Sequence, residues 1–114
     1  MGENMKRISI AVIASIALVT HALAQEPGYV KKGALLADSV CAQCHAVRAG
    51  KFRSPNPMAP SFASVAATPG MTETALRVWL QTSHPTMPNY TLTPEERGDI
   101  VAYILSLRHE HSAM

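Results

Sequence analysis

The sequence predicts an all-α domain of three main helices and one short one. Three observations predict it. No segment alternates apolar and polar residues with the period of two that a half-buried strand requires. Apolar residues instead recur at spacings of three and four in three separate segments. The breakers Pro55, Pro57, Pro60, Pro69, Pro85 and Pro88 fall between those segments. A chain of 114 residues, 47% of them hydrophobic, is enough for one small domain.

The first helix is expected from about Gly28 to Cys44. Val30, Ala34, Ala37, Cys41 and Cys44 would share a face. Gly33 falls on that face too. Glycine in a helix interior costs about 1 kcal/mol against alanine, so its place there suggests close approach by another element. Residues 46–60 read as a loop. Ser61 to Ala67 make a short helix with Phe62 and Val65 facing inward. Pro69-Gly70 is a turn, and Thr72 caps the next helix with Glu73 in its first turn. Ala75, Leu76, Trp79 and Leu80 form the buried face of that helix, which is expected to end near Thr82. Residues 83–92 form a second loop. The last helix is the most strongly signalled. Thr93 caps it, Pro94 occupies its first position, and Glu96 completes a capping box. Ile100, Val101, Ile104 and Leu105 form its buried stripe, with Tyr103 and Leu107 beside it.

The most informative run is Cys41-Ala42-Gln43-Cys44-His45. C-x-x-C-H is the attachment signature of a c-type haem. Two thiols three residues apart can each form a thioether with a haem vinyl group. The adjacent imidazole lies near Cys41 on a helical turn and can reach the iron. A thioredoxin-like pair would want a βαβ setting, which the pattern lacks. A structural zinc site would want four ligands, and the chain has only these 2 cysteines.

The first 24 residues have the layout of a Sec-type signal peptide. Lys6 and Arg7 form a charged start, Ile8 to Val19 an apolar stretch, and Ala22-Leu23-Ala24 a cleavage pattern before Gln25. The apolar run is shorter than the ~20 residues of a membrane span. Residues 25–114 would then be the mature domain, periplasmic, with no membrane span. An oxidising compartment is compatible with thioether formation. A domain of this size has a marginal core alone, and a bound haem supplies a large flat apolar centre. The formal net charge of +2 gives no support for nucleic-acid binding.

An electron-transfer haem takes a second axial ligand, usually Met or His, and Met raises the potential. Met71 precedes a cap and suits a hydrophobic staple. Met114 is the last residue, and Met58 lies 13 positions after His45. Met87 sits in His84-Pro85-Thr86-Met87-Pro88-Asn89, where prolines on both sides stiffen the backbone around the thioether. Met87 is therefore the expected sixth ligand. His84, three residues away, is its rival; its alternative is a surface histidine at a helix end. His109 and His111 suit the dipole at the end of the last helix and carry no assigned role.

These residues resemble a small class I bacterial cytochrome c over essentially the whole mature chain. The landmarks are Cys41-Ala42-Gln43-Cys44-His45, Ala59-Pro60-Ser61-Phe62, Met87-Pro88-Asn89 and Thr93-Pro94-Glu95-Glu96 followed by Ile100-Val101-Ala102-Tyr103-Ile104. The resemblance implies a cytochrome c-like fold around one covalently bound haem c. Cys41 and Cys44 would carry the thioethers, His45 would be the proximal ligand and Met87 the distal one. It implies that the Pro60 carbonyl accepts the other N–H of the proximal imidazole. It also places Gly33 where first and last helices cross, against Tyr103 and Ile100. The loop from Ala46 to Ala59 lacks the long insertion of mitochondrial members, which leaves one haem edge more open. Trp79 is then either a haem cover or propionate partner, or a plain core residue. Tyr90 either packs beside Met87 or ends its loop.

Arg48, Lys51 and Arg53, with Lys31 and Lys32, either steer an acidic partner, pair with propionates, or form a solvated face. No nucleophile, acid–base pair or substrate pocket stands out, so no enzymatic activity is expected. The expected role is electron transfer in a respiratory chain. Its redox partners would be a periplasmic dehydrogenase, a cytochrome complex or a terminal oxidase. Two other roles fit the same motif: the haem subunit of a larger dehydrogenase or oxidase complex, and an open-iron sensor or peroxide-reactive haem protein.

Overall fold

The structure is a computed structural model, and residues 28–112 are described. The expected leader at 1–24, the cleavage point before Gln25, and Met114 lie outside the described residues. The order is α1 (Val30–Leu36), a π-helical stretch (Ala37–Cys41), α2 (Phe62–Ala67), α3 (Glu73–Trp79) and α4 (Pro94–Ser112). No strand occurs among the described residues; one isolated bridge pairs His84 with Met87. The all-α reading therefore holds.

The long helix α4 organises the rest. Its start is fixed by two reciprocal bonds. Glu96 N–H donates to Thr93 Oγ1 at 3.1 Å, and Thr93 N–H donates to the Glu96 carboxylate at 2.8 Å. Two donors at the helix start, which has no carbonyls of its own to bond them, are thus satisfied. Ile100 and Val101 are each 1% exposed, and Ile104 and Leu107 are buried with them. Ala37, Val47, Phe62, Ala66 and Leu76 complete this core. Burying one such aliphatic side chain contributes about 1.5–3 kcal/mol. This stripe is therefore the main driving force that gathers the short helices.

Helix α1 crosses α4 at Gly33, as its glycine suggested. A Cβ there would overlap the carbonyl of Asp99 and stand 2.8 Å from Tyr103 Cβ. Asp99 joins the expected Tyr103 at the crossing, and Ile100 is buried in the core. Buried Asp99 also accepts the Tyr29 N–H at 2.7 Å, so α4 supplies the cap that the start of α1 lacks.

The single helix expected through Cys44 is not what forms. Regular α-helix stops at Leu36, and Ala37–Cys41 follows with a wider turn in which Ala42 N–H donates to Ala37 O at 3.0 Å. Cys44 lies in the turn beyond. The expected face holds at Gly33 and Ala37, which are buried, and at Cys41, which packs on the core, but not at Val30, which is 45% exposed. Contact with α4 at Gly33 sets which face turns inward.

Ser61 and Thr72 cap α2 and α3, accepting from Ser64 N–H and Ala75 N–H at 3.1 Å. Arg108 of α4 donates to the carbonyls of Ala66 and Met71 at 3.0 and 2.8 Å. It thereby fixes the end of α2 and the approach to α3. Met71 packs against the core, as a residue before a cap does. Helix α3 ends at Trp79, three positions before the expected Thr82.

Candidate haem site

The turn after Cys41 carries the motif. His45 N–H donates to Cys41 O at 3.0 Å and Cys44 N–H to the same oxygen at 3.2 Å. Two residues on, Ala46 and Val47 are buried, and the hydroxyl of Tyr103 donates to Val47 O at 2.7 Å. Asn56 N–H reaches back to Cys44 O at 3.1 Å, and Phe62 N–H to Ala46 O at 2.9 Å. The motif is thus held by α4 on one side and by the loop before α2 on the other.

His45 Nδ1 lies 2.6 Å from the carbonyl oxygen of Pro60. A carbonyl only accepts, so Nδ1 is the donor, and in the neutral ring Nε2 keeps its lone pair. The imidazole is therefore set up as a neutral ligand through Nε2. Phe62 packs against the ring, with centroids 5.5 Å apart. These contacts fix its orientation from two directions.

Cys41 and Met87 line a single cavity of about 430 Å³, walled also by Val40, Leu80, Leu92, Arg97 and Ile100. Trp79 and Tyr90 form part of its rim. Cys44, His45 and Pro60 are not among its lining residues. Burial pushes the Cys41 thiol up to about 11, so in the chain without thioethers this sulfur is protonated at neutral pH.

Met87 sits at the end of a tight turn. Its N–H donates to His84 O at 3.4 Å, with Pro85 and Thr86 between them. Thr86 has φ of 73°. That region suits glycine, and a β-branched residue there is strained. Pro85 at the preceding position favours such a turn.

Of the two readings of Trp79, plain core packing does not hold. It is 56% exposed and not part of the core. Helix α3 meets the core through Leu76, and the indole instead stacks on His84, with centroids 4.3 Å apart and planes at 14°. His84 is accordingly not a free surface histidine. Tyr90, at 44% exposed, shares the cavity rim with Met87. In the basic cluster, Arg48 pairs with Asp38 at 3.0 Å, and Lys32 with Glu95 at 3.0 Å.

One residue went unnoticed in the sequence. Arg97 precedes Ile100, Val101 and Ile104 by three, four and seven positions, so it falls on the buried stripe. A cation at that register was the available signal. Its Nη2 donates to Leu92 O at 3.2 Å, and its Nε is buried with no hydrogen-bond partner among the described residues.

The residues fit a haem c. Two thiols and an imidazole with a free Nε2 stand on one turn, beside a cavity of mixed apolar and polar lining that also holds a thioether and an unpartnered buried donor. This donor set, on an all-α frame closed by a capped terminal helix, defines a c-type cytochrome. The comparisons agree. The chain belongs to the family described as cytochrome c oxidase, cbb3-type, subunit III, whose model matches residues 28–104. It is 42% identical over 97 residues to cytochrome c-552 of Bradyrhizobium diazoefficiens, covering 85% of this chain and 89% of that protein. No solved structure matches the chain.

The protein therefore carries covalently bound haem c and transfers electrons; it is a carrier and not an enzyme. When bound, the haem supplies one-electron chemistry at its iron. Cys41 and Cys44 are the residues that would tether it, and His45 the one that would meet the iron. The chain's own contribution is fixed orientation. Pro60 and Phe62 hold the imidazole, and Ile100 and Arg97 of α4 line one side of the cavity. No helix among the described residues is long and apolar enough to cross a membrane.

Proposed function

We propose that the protein is an exported monohaem electron carrier of the periplasm, with residues 1–24 a cleaved signal peptide and residues 25–114 the working domain. Cys41 and Cys44 hold the haem by thioethers, and His45 and Met87 are its axial ligands. The observation that carries this reading is the 2.6 Å contact of His45 Nδ1 with the Pro60 carbonyl, which leaves Nε2 of the neutral ring for the metal. Met87 has further support: it lines the cavity with Cys41, in a turn that prolines and the His84 carbonyl restrict. His84, the rival ligand, is engaged with Trp79. Two ligands retained in both oxidation states keep reorganisation small, which suits a carrier.

Electrons would pass at the cavity rim, where Trp79 and Tyr90 are exposed. The partners would be a periplasmic dehydrogenase, a cytochrome complex or a terminal oxidase. A second reading makes the chain a haem subunit of an oxidase complex, favoured by the description of the matching family. Purification at native levels separates the two: a free carrier elutes alone, and a subunit elutes with larger chains.

Carbon monoxide tests the ligand set. The ferrous holoprotein should bind it poorly at neutral pH, and Met87→Ala should bind it readily. Ready binding by the unaltered protein contradicts a closed iron.

A further inference from the structure

We propose that Arg97 is the positioning residue of the Met87 loop, pinning the loop's end to α4 so that the thioether stays at the iron. The proposal rests on the ligand reading above.

The loop from Ser83 to Leu92 has little with which to fasten itself. Pro85 and Pro88 have no N–H to give. The hydrogen bond inside it among the described residues is Met87 N–H to His84 O, and at 3.4 Å it is long. Thr86 works against the turn, because its φ of 73° is unfavourable for a β-branched residue. Such a segment opens locally at small cost unless its ends are held.

Both ends are held. At the first, His84 stacks on Trp79 of α3. That contact is on a 56% exposed indole and is open to solvent. At the second, Arg97 Nη2 donates to Leu92 O at 3.2 Å. The second hold is the stronger in kind. A guanidinium donor makes a charge-assisted bond, and partial burial protects it from water. Its base is rigid, because Arg97 lies in the first turn of α4, where the Thr93–Glu96 box closes the helix start. The loop thus ends directly against the capped start of α4.

The placement of Arg97 is otherwise costly. It occupies the apolar stripe one turn before Ile100 and lines the cavity with Met87. Its Nε–H is buried and unsatisfied among the described residues. The three ion pairs recorded among those residues join Lys32 to Glu95, Arg48 to Asp38 and Arg77 to Glu73, so no carboxylate explains it. The bond to Leu92 is the one contact by which this cation reaches the loop among the described residues.

The test compares wild-type holoprotein with Arg97→Ala and Arg97→Lys. Two readouts are followed against temperature: the ferric sulfur-to-iron charge-transfer band and the far-ultraviolet helical signal. Carbon monoxide binding to the ferrous form is measured beside them. Loss of one charge-assisted bond predicts carbon monoxide affinity raised about tenfold in Arg97→Ala. The band should disappear well below the temperature at which helices melt. Arg97→Lys, which keeps one donor and the charge, should fall between. If Arg97→Ala does not fold, the same comparison in Arg97→Lys decides. Unchanged carbon monoxide binding, or a band and a helical signal that shift together, overturns the positioning role and leaves Met87 ligation standing. A wild type without the band overturns the ligand reading itself, and this proposal with it.

Discussion

The imidazole of His45 and the carbonyl of Pro60 stand 2.6 Å apart, although fifteen positions separate them in the chain. The contact closes the loop between the haem motif and α2. It also fixes the tautomer: a ring that donates at Nδ1 presents Nε2 as a lone pair, and donation makes that nitrogen a better electron donor. Pro60→Ala keeps the carbonyl but frees the backbone that aims it. A weaker bond stabilises the ferric state less, so the reduction potential should rise, by roughly 20–60 mV for a loss near 1 kcal/mol. Protein-film voltammetry of the two holoproteins reads this directly, and an unchanged or lower potential contradicts it.

The packing of α1 on α4 depends on the missing side chain at Gly33. A methyl group there would overlap the Asp99 carbonyl. Gly33→Ala should destabilise the holoprotein by about 1–3 kcal/mol, the usual cost of overpacking. Urea unfolding followed by circular dichroism measures it. A gain in stability, as helix propensity alone predicts, would show that the crossing is looser than the geometry requires.

Thr86 predicts a change of opposite sign. Its φ of 73° is a position where glycine is unstrained. Thr86→Gly should relieve about 1 kcal/mol of strain, partly offset by the greater freedom of the unfolded chain. The charge-transfer band of the ferric holoprotein should then persist to higher temperature than in wild type. A band lost earlier shows that stiffness at residue 86 matters more than its strain.

The thiol of Cys41 makes the chain without haem sensitive to alkali. Burial raises it from 9.0 to about 11 in the fold. An unfolded chain ionises first, so the stability this thiol allows is intact below pH 9 and declines from pH 9 to 11. Urea midpoints of the unattached chain should fall across that window, and Cys41→Ala should flatten the fall. The holoprotein, whose sulfur is a thioether, should lack it. A wild-type midpoint constant from pH 9 to 11 contradicts the burial.

Local signals were readable wherever a few neighbouring residues decide the outcome. The Thr93–Glu96 box, the Thr72 cap and the stripe through Ile100, Val101 and Ile104 all follow from short-range chemistry. Gly33 announced a crossing, but not that the Asp99 carbonyl would lie nearest to it. One position along a helix is a rotation of about 100°, and only the packed partner sets it. The widening of α1 after Leu36 left no mark in the residue pattern, because apolar spacing does not distinguish hydrogen-bond registers so close in pitch. Trp79 looked like a core residue by spacing. Its actual partner, His84, lies beyond the end of its helix, where periodicity carries no information.

The closed iron is the central claim, and the ferric visible spectrum of matured holoprotein tests it most directly. With His45 and Met87 bound, the spectrum is low-spin and contains the weak long-wavelength sulfur-to-iron band, and Met87→Ala removes the band. A high-spin wild-type spectrum without it would mean an open iron, and a low-spin one without it would point to His84 in place of Met87. Either result would contradict the account.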